Sequence, residues 1–310
     1  MRFPIQIFRN VPNYRFIGHR RVGFAITGLL LAATIWSLAT NGLNFGIDFT
    51  GGVLMEVRTE AQADVGKMRA LLEAQDATEN ASLQSIGAEG REVMIRVKPE
   101  KGQNQNAVAL AVRETLDEGY GAPVDYLRID YVGPQIGEEL VYGSAYALMA
   151  AMAAMMLYLW FRFEWQFGVG GILAIFHDAI ITLGFYSITQ IEFNLTSVAA
   201  LLTIIGYSIN DSVVIYDRVR ENLRKYKVRP LEEVLNLSIN ETLARTFLTG
   251  GTVLAALIGL IGFGGDVLFG FSAAMAFGVL IGTFSSIYIS ATILIYMDLR
   301  REHIGHSLKA

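Results

Sequence analysis

Six long runs of apolar residues are separated by short polar segments and by one longer insert. The runs cover residues 22–40, 140–161, 165–189, 195–216, 246–265 and a stretch within 267–297. Each run contains roughly the 20 residues that a helix needs to cross about 30 Å of hydrocarbon. The pattern therefore predicts a polytopic α-helical membrane protein with six transmembrane helices.

The insert between the first and second runs has a different pattern. Residues 52–59, 82–86, 92–97 and 123–132 resemble short strands, and residues 62–75 and 104–118 have helical spacing of apolar positions. The order βαββαβ is that of ferredoxin-like domains, in which an antiparallel sheet carries two helices on one face. We therefore expect one small α+β ferredoxin-like domain, a fold that hosts many functions and determines none.

Basic residues predict the orientation. Lysines and arginines precede the first run and follow the fourth, whereas residues 190–194 and 262–266 contain neither. By the positive-inside rule, both termini are cytoplasmic and the insert lies on the opposite side of the membrane. The predicted divisions are an N-terminal arm (1–21), the first transmembrane helix (22–40), the outer α+β domain with its linkers (41–139), the second to fourth transmembrane helices (140–217), a basic loop with an amphipathic helix (218–245), the last two transmembrane helices (246–297) and a tail (298–310).

The first apolar run has a second interpretation as a cleavable signal peptide. Arginines precede it, and Ser37-Leu38-Ala39 is a triplet of the small-x-small type found at cleavage sites. The run is long for a signal peptide, however, and its leader is long as well. We therefore expect the segment to be retained as a membrane helix.

Composition agrees with a membrane protein and limits the chemistry. Hydrophobic residues make up 53% of the chain, charged residues 17%, and the formal net charge is −4. The insert is acidic, so nucleic acid is not an expected partner. The chain has no cysteine, which excludes disulfides, thiol nucleophiles and cysteine-ligated metals. We expect no enzyme active site, no cofactor and no metal site.

Asp211 lies inside the fourth apolar run, where a charged side chain is costly. Even the lenient insertion scale assigns it about 2.5–3.5 kcal/mol, so such a residue suggests a function. At helical spacing Thr203, Tyr207, Asn210 and Arg218 extend the same face. One interpretation is a carboxylate that accepts a proton on one side and releases it on the other. The alternative is a static hydrogen bond between helices.

Two further polar positions occur in the apolar runs. Asp178 follows His177 in the third run, and the pair predicts either a proton relay or a structural contact to a neighbouring helix. Arg245 precedes the fifth run and could neutralise Asp211. Its alternative is to extend towards the lipid headgroups, because side chains lean towards the N-terminus of a helix.

Two glycine-containing motifs flank the insert. The first, GIDFTGG, predicts either a turn that ends a helix or, functionally, a hinge or a polar contact at the outer membrane face. The second, VGPQIGEEL, predicts a joint that sets the angle of the domain. The structural or hinge residues in these motifs are Gly46, Asp48, Thr50, Gly51, Gly52, Gly133 and Pro134.

Taken together, several motifs resemble the SecD/SecF family of bacterial protein-export membrane proteins, part of the RND-type superfamily. They are GIDFTGG, VGPQIGEEL, IFHDAIITLGFYS, IGYSINDSVVIYDRVREN and NETLARTFLTGGT, in that order along the chain. The resemblance implies a multi-pass protein of the bacterial inner membrane, with residues 41–139 in the periplasm. It implies work with SecD, YajC and the SecYEG channel, where proton flow supports late translocation of preprotein. It also implies that Asp211 is the proton-handling aspartate and Arg245 the functional arginine, and we expect SecD to be a separate chain.

The sequence thus predicts a non-enzymatic subunit in which proton passage at Asp211 moves the outer domain. Two alternatives stay open. One is half of an RND-type small-molecule exporter, although such proteins usually have paired aspartates, and here Asn210 precedes Asp211. The other is a non-conducting scaffold subunit of the translocase, which should tolerate Asp211→Asn.

Overall fold

The computed structural model describes residues 11–75, 78, 81–87, 89–99, 103–297 and 299, and only the backbone of Asp266 and Val267. Residues 1–10 of the predicted arm, and all of the predicted tail except Leu299, lie outside the described residues.

The elements follow the order that the apolar pattern predicts. The helices are α1 (Arg20–Thr40), α2 (Ile47–Thr50), α3 (Val65–Glu73), α4 (Gln105–Gly119), α5 (Pro134–Arg162), α6 (Trp165–Thr189), α7 (Leu195–Lys225), α8 (Leu231–Phe263) and α9 (Gly265–Ser285), and the strands are β1 (Gly52–Thr59), β2 (Ser82–Ile86), β3 (Glu92–Val97) and β4 (Val124–Val132). A 3-10 turn, Ile17–His19, precedes α1, and a π-helical segment, Ser286–Ala291, follows α9.

Among the described residues, six helices are long and apolar enough to cross a membrane. They are α1 and α5–α9, with the turn Ile17–His19 included in the first span and the π-helical segment in the last. This confirms the predicted fold class of a six-helix membrane protein with a small α+β domain. We call the end of the bundle that carries this domain the domain end, and the opposite end the far end.

The α+β domain is a single antiparallel sheet with strand order β2-β3-β1-β4. Alternate residues of each strand point to one face, and on that face α3 and α4 cover the sheet. The buried core residues include Val53, Met55, Val57, Met68, Leu72, Val93, Ile95, Val97, Val108, Val112 and Leu116. The helix predicted at 62–75 begins only at Val65, because the side chain of Asp64 caps it by accepting from the Lys67 N–H at 2.9 Å.

Helices α7 and α8 extend well beyond the apolar runs, and α5 begins at Pro134, before its run starts. The amphipathic helix expected in 218–245 and the fifth transmembrane helix form one continuous helix, α8. Likewise α7 continues from the apolar run through the basic residues to Lys225. Neither junction contains proline, and the polar residues there are compatible with helix, so the change in hydropathy does not end the helix.

Helices α7 and α9 approach closely at Gly278 and Gly282. A Cβ on Gly278 would lie 2.4 Å from two carbons of Ile204, and one on Gly282 would lie 3.2 Å from the Cβ of Ser208. Small residues at such spacing allow helix backbones to pack closely in membranes. The two glycines therefore fix the position of α9 along the helix that carries Asp211.

We expect Gly278→Ala to destabilise the protein by about 1–3 kcal/mol, because the added methyl overpacks the contact with Ile204. Gly259→Ala on α8 is the matched control, since its Cβ would meet nothing within 4 Å. There the greater helix propensity of alanine should leave stability unchanged or raise it by up to about 1 kcal/mol. Thermal unfolding in one detergent measures both variants, and equal midpoints would contradict the close α7–α9 contact.

Candidate functional site

Asp211 is buried between helices, where only 2% of its surface is exposed. Its Oδ2 atom accepts no hydrogen bond from the described residues. A buried carboxylate normally has hydrogen-bonding or charged partners, because removing an ionised group from water without them is costly. The missing partner makes Asp211 an exception to that rule, at a position where the chain crosses the membrane.

Arg245 lies on α8 at a depth similar to that of Asp211 on α7. At about 1.5 Å per residue, Asp211 is roughly 24 Å from the domain end of α7 and Arg245 roughly 27 Å from that of α8. The two charges interact electrostatically, but no nitrogen–oxygen distance within 4.0 Å joins them. The guanidinium is therefore close to the carboxylate without forming an ion pair.

The hydroxyl group of Tyr207 lies one turn of α7 from Asp211 and faces α8 and α9. It is near Thr249 and Thr283, without a hydrogen bond of standard geometry to either. A Cβ at Gly250 would be 3.2 Å from this hydroxyl group, so glycine leaves the space that the tyrosine occupies. A second buried polar group without a partner thus lies beside Asp211.

The other residues of the predicted polar face do not all join this site. Asn210 and Thr203 are exposed on the surface of the bundle, while the neighbouring Asp211 is buried. Successive positions of a helix point about 100° apart, which explains why Asn210 and Asp211 separate. Arg218 lies further towards the far end and pairs with Glu241 at 2.6 Å. The predicted face is therefore divided between the interior and the surface.

Asp178 is the centre of a hydrogen-bond network that joins three helices. Its Oδ2 accepts from Ser208 of α7 at 2.5 Å and from Ser285 of α9 at 2.7 Å. Its Oδ1 contacts the Nδ1 of His177 at 2.9 Å. In contrast to Asp211, this carboxylate has partners for both oxygens. Of the two interpretations of Asp178, a proton relay and a structural contact between helices, this geometry favours the structural contact.

Sequence reasoning missed the serines that hold Asp178 and a similar contact nearer the far end. The hydroxyl group of Tyr216 shares a 2.6 Å hydrogen bond with the hydroxyl group of Ser290 and donates to the Ser290 carbonyl at 3.3 Å. Ser290 lies in the π-helical segment, a rare geometry often found at functional sites. Serines in apolar runs are common, so no local pattern in the sequence marks these contacts.

The GIDFTGG motif contacts the connection between α6 and α7. The N–H of Gly46 donates to the Phe193 carbonyl at 2.9 Å, and the N–H of Phe193 donates to the Asn44 carbonyl at 2.8 Å. The carboxylate of Asp48 accepts from the N–H of Leu195, the first residue of α7, at 3.0 Å. An acidic side chain at this position satisfies a free N–H and complements the helix dipole. The motif therefore makes polar contacts with the first residue of α7 and with the connection that precedes it.

The glycines of the motif and Pro134 form the joint with α5. Gly51 and Gly52 have φ angles of 67° and 135°, and a Cβ on either would approach the backbone of Pro134 or Val97 to within 3.0 Å. Thr50 donates its hydroxyl hydrogen bond to the Gly46 carbonyl at 3.1 Å. Gly133 caps α5, and Pro134 begins it, where a missing N–H is tolerated.

An ion pair connects the α+β domain to the same α6–α7 connection. Arg96 extends from the sheet face opposite α3 and α4, and its Nη2 lies 2.6 Å from the Oε2 of Glu192. The two side chains are only 12% and 16% exposed. Burial raises the pKa of Glu192, and the charge of Arg96 opposes that rise. Asn44 completes the cluster by accepting from Arg96 at 3.1 Å and donating to the Gln190 carbonyl at 2.8 Å.

We expect Arg96→Gln and Glu192→Gln each to weaken the attachment of the domain by about 1–2 kcal/mol, because the pair is largely shielded from water. Hydrogen exchange at Gly46, Phe193 and Leu195 should become faster in both variants. The control is Arg58→Gln, which removes a more exposed pair with Glu92 inside the domain. Unchanged exchange at those three amides in the first two variants would contradict the role of this ion pair.

Within the described residues, no group of three or more histidine, aspartate or glutamate side chains is placed to hold a metal ion. The polar groups at Asp211 are a carboxylate, a phenol and a guanidinium. Of the three, only the carboxylate binds and releases a proton near neutral pH, and the phenol and the guanidinium are hydrogen-bond donors.

Two protein-family models match this chain. Residues 36–63, which include GIDFTGG, match the model described as "SecD/SecF GG Motif", and residues 112–300 match "Protein export membrane protein SecD/SecF, C-terminal". The chain belongs to the SecD/SecF family. Protein translocase subunit SecF of Rickettsia bellii (strain OSU 85-389) is 44% identical over 293 residues, which cover 94% of this chain and 96% of that protein. The SecF of Rickettsia felis is 43% identical, with 94% of each chain covered.

Solved structures of the family have the same architecture. SecDF from Thermus thermophilus, a translocon-associated membrane protein, is 36% identical with a TM-score of 0.86, and the match covers 97% of this chain. SecDF in a super-membrane-facing form is also 36% identical, with a TM-score of 0.71 over 98% of this chain. This chain spans only 40% and 41% of those two longer proteins.

Proposed function

We propose that this chain is a non-enzymatic subunit of a Sec-type protein translocase that, together with SecD, couples proton flow to late-stage protein export. The observation that carries the proposal is the buried carboxylate of Asp211, which is close to Arg245 but not paired with it. The relatives named as protein translocase subunit SecF support the export role. The proton role is supported by the chemistry of the site.

Asp211 can alternate between two forms with different partners. A protonated Asp211 suits the present geometry, in which Oδ2 has no hydrogen-bond partner. An ionised Asp211 would be stabilised by the approach of Arg245, because opposite charges favour the ionised state. A small relative movement of α7 and α8 would then accompany each proton that binds or leaves.

The contacts at the domain end offer a route from this movement to the α+β domain. Asp48 caps the first turn of α7, and Glu192 in the preceding connection pairs with Arg96 of the sheet. A shift of α7 along its axis would therefore act on both attachment points of the domain. We propose that the domain, which faces the emerging polypeptide, changes its position in response.

The energy of one proton is sufficient for such a change. A charge that crosses 100 mV releases about 2.3 kcal/mol. That free energy changes a two-state equilibrium by about 50-fold. The two SecDF structures are equally similar to this chain in sequence but differ in TM-score, 0.86 against 0.71. This difference supports the proposal that the family adopts more than one conformation.

We propose that SecD covers the face of the bundle next to this site. Asn210, Thr203 and Arg245 are exposed at the membrane-spanning part of α7 and α8. Polar and charged side chains are unfavourable against lipid tails and normally face a protein partner or water. The SecDF proteins that this chain matches are more than twice its length. The part of them that this chain does not match would correspond to such a partner. Contacts with YajC, SecYEG and preprotein are proposed from the family resemblance alone.

We expect both termini to be cytoplasmic and the α+β domain to be periplasmic, because basic residues cluster at the far end. The chain has no cysteine, so single engineered cysteines can be labelled selectively. In spheroplasts, whose outer membrane has been removed, a membrane-impermeant thiol reagent should label Gln84→Cys but not Lys227→Cys. Labelling of Lys227→Cys alone would reverse the proposed orientation.

The proposed function is tested in inverted vesicles that contain the channel, SecD and this chain. Export of a preprotein after the initial insertion should be faster with a proton gradient than without it. Vesicles that lack only this chain should lose that difference. If the gradient accelerates export equally in both preparations, this chain does not couple proton flow to export.

A further inference from the structure

A basic groove lies at the far end of the bundle, between the α5–α6 turn and the extension of α7. It has a volume of about 500 Å³ and is lined by Arg162, Asp217, Arg220, Glu221, Arg224 and Lys225. Four of these residues are basic and two are acidic, so the lining has a net charge of +2. Nothing in the site around Asp211 uses this groove.

The acidic residues of the groove are already engaged by arginines. Asp217 accepts two hydrogen bonds from Arg162, at 2.8 and 3.1 Å. Glu221 accepts from Arg218, outside the groove, at 2.6 Å. Among the described residues, Arg224 forms no hydrogen bond or ion pair, and Lys225 lies over the ring of Tyr226 at 5.1 Å. The charges of Arg224 and Lys225 are therefore available to an anion.

Arg220 holds the turn between α5 and α6 against the extension of α7. Its Nη1 donates to the Arg162 carbonyl at 3.3 Å, and its Nε lies 3.5 Å from the Oε2 of Glu164. Both side chains of this ion pair are largely shielded from water. Arg220 is therefore already paired with a carboxylate, and Arg224 and Lys225 supply the free positive charge of the groove. Phosphate oxygens are acceptors that arginine side chains prefer.

The groove lies at the level of lipid headgroups. Phe163 and Phe167 pack on Tyr216, which places the α5–α6 turn beside that residue of α7. Arg220 is one turn beyond Tyr216, or roughly 6 Å, and a headgroup layer is about 5–8 Å thick. Trp160, Phe161 and Trp165 flank the turn and are 73%, 85% and 58% exposed. Exposed tryptophans of this kind mark the membrane–water interface.

We propose that this groove binds the phosphate of an anionic phospholipid in the leaflet at the far end. A net positive groove beside apolar helices fits a lipid with a negative headgroup, since basic pockets at this depth recognise such headgroups. A zwitterionic lipid has its own ammonium group, which competes with Arg224 and Lys225. A soluble phosphate lacks the acyl chains that would pack on the exposed apolar face of α5.

The test uses the full chain with Trp36→Phe, which leaves the two tryptophans beside the groove as the only ones. Phosphatidylglycerol with brominated acyl chains is titrated into neutral micelles, and quenching of tryptophan fluorescence reports binding. Brominated phosphatidylcholine should quench only at a clearly higher mole fraction. In the same background, Arg224→Gln should weaken the apparent affinity for phosphatidylglycerol about fivefold, as expected for the loss of about 1 kcal/mol per basic residue.

Lys227→Gln is the matched control, because Lys227 is exposed in the same basic segment but does not line the groove. It should change the affinity by less than about twofold. Equal quenching by both lipids would overturn the proposal and would be the result if an acidic protein segment occupied the groove. Equal losses of affinity in Arg224→Gln and Lys227→Gln would also overturn it, because the lipid would then be attracted by the basic surface in general and not by the groove. Competition by the same concentration of inorganic phosphate would indicate a soluble anion instead.

Discussion

Asp211→Asn is expected to abolish the proton-driven part of export while leaving the protein folded. The amide has nearly the same shape as the carboxylate but cannot ionise, so it resembles the protonated form permanently. Because residue 211 then cannot alternate between a protonated and an ionised form, the proton gradient cannot drive the conformational change. The shift of up to about 50-fold that one proton gives at 100 mV is lost. Export by the variant should equal wild-type export measured without a gradient.

Asp178→Asn is the matched control for this experiment, because both residues are buried aspartates of the same bundle. The amide oxygen can still accept from Ser208 and Ser285, and the amide NH₂ can donate to the ring of His177. If Asp178 holds helices together, its variant should keep most of the proton-driven export. Similar losses in both variants would instead assign Asp178 to the proton pathway. If Asp211→Asn exports at the wild-type rate and is present at the normal level, the proton role is excluded and the chain is a non-conducting scaffold subunit.

Arg245→Ala is expected to have an effect as large as that of Asp211→Asn. Without the guanidinium, ionised Asp211 has no compensating charge and the protonated form is favoured throughout the cycle. Arg245→Lys retains a charge but loses the planar set of donors, so partial activity is expected. The same vesicle assay, with membrane protein levels as a control, measures both variants.

The double variant Asp211→Asn/Arg245→Ala separates one shared step from two independent ones. If both residues serve the same proton-binding step, the double variant should be no worse than either single change. A further loss in the double variant would mean that Arg245 has a second role. Arg245→Ala with normal proton-driven export would exclude the arginine from the proton-binding step.

The fold could be predicted from the sequence because its signals are local. The six apolar runs, the alternation in Gly52–Thr59 and the helical spacing around Met68 and Leu72 each depend on near neighbours. The continuous helix α8 could not be predicted in the same way. The change of hydropathy near Arg245 indicated a boundary, but a helix ends where its backbone geometry changes and not where it leaves the membrane.

The site was predicted only in part, since its geometry depends on contacts between distant segments. Asp211 stands out as a charge inside an apolar run and Arg245 as a charge at the start of another. Their separation beyond ion-pair distance, however, depends on how α7 and α8 pack. The pair of Arg96 and Glu192 joins a strand to a connection far along the chain. No local pattern marks either residue, because a single arginine in a strand and a single glutamate in a loop are ordinary surface features.

Proton uptake during export tests the central claim most directly. A pH-sensitive dye in inverted vesicles would follow proton movement in complexes that differ only in Asp211→Asn. The account predicts that translocating preprotein increases proton flow in the wild-type complex, and that this increase is absent in the variant. Equal preprotein-dependent proton flow in the two complexes would contradict the assignment of Asp211 as the group that carries the proton.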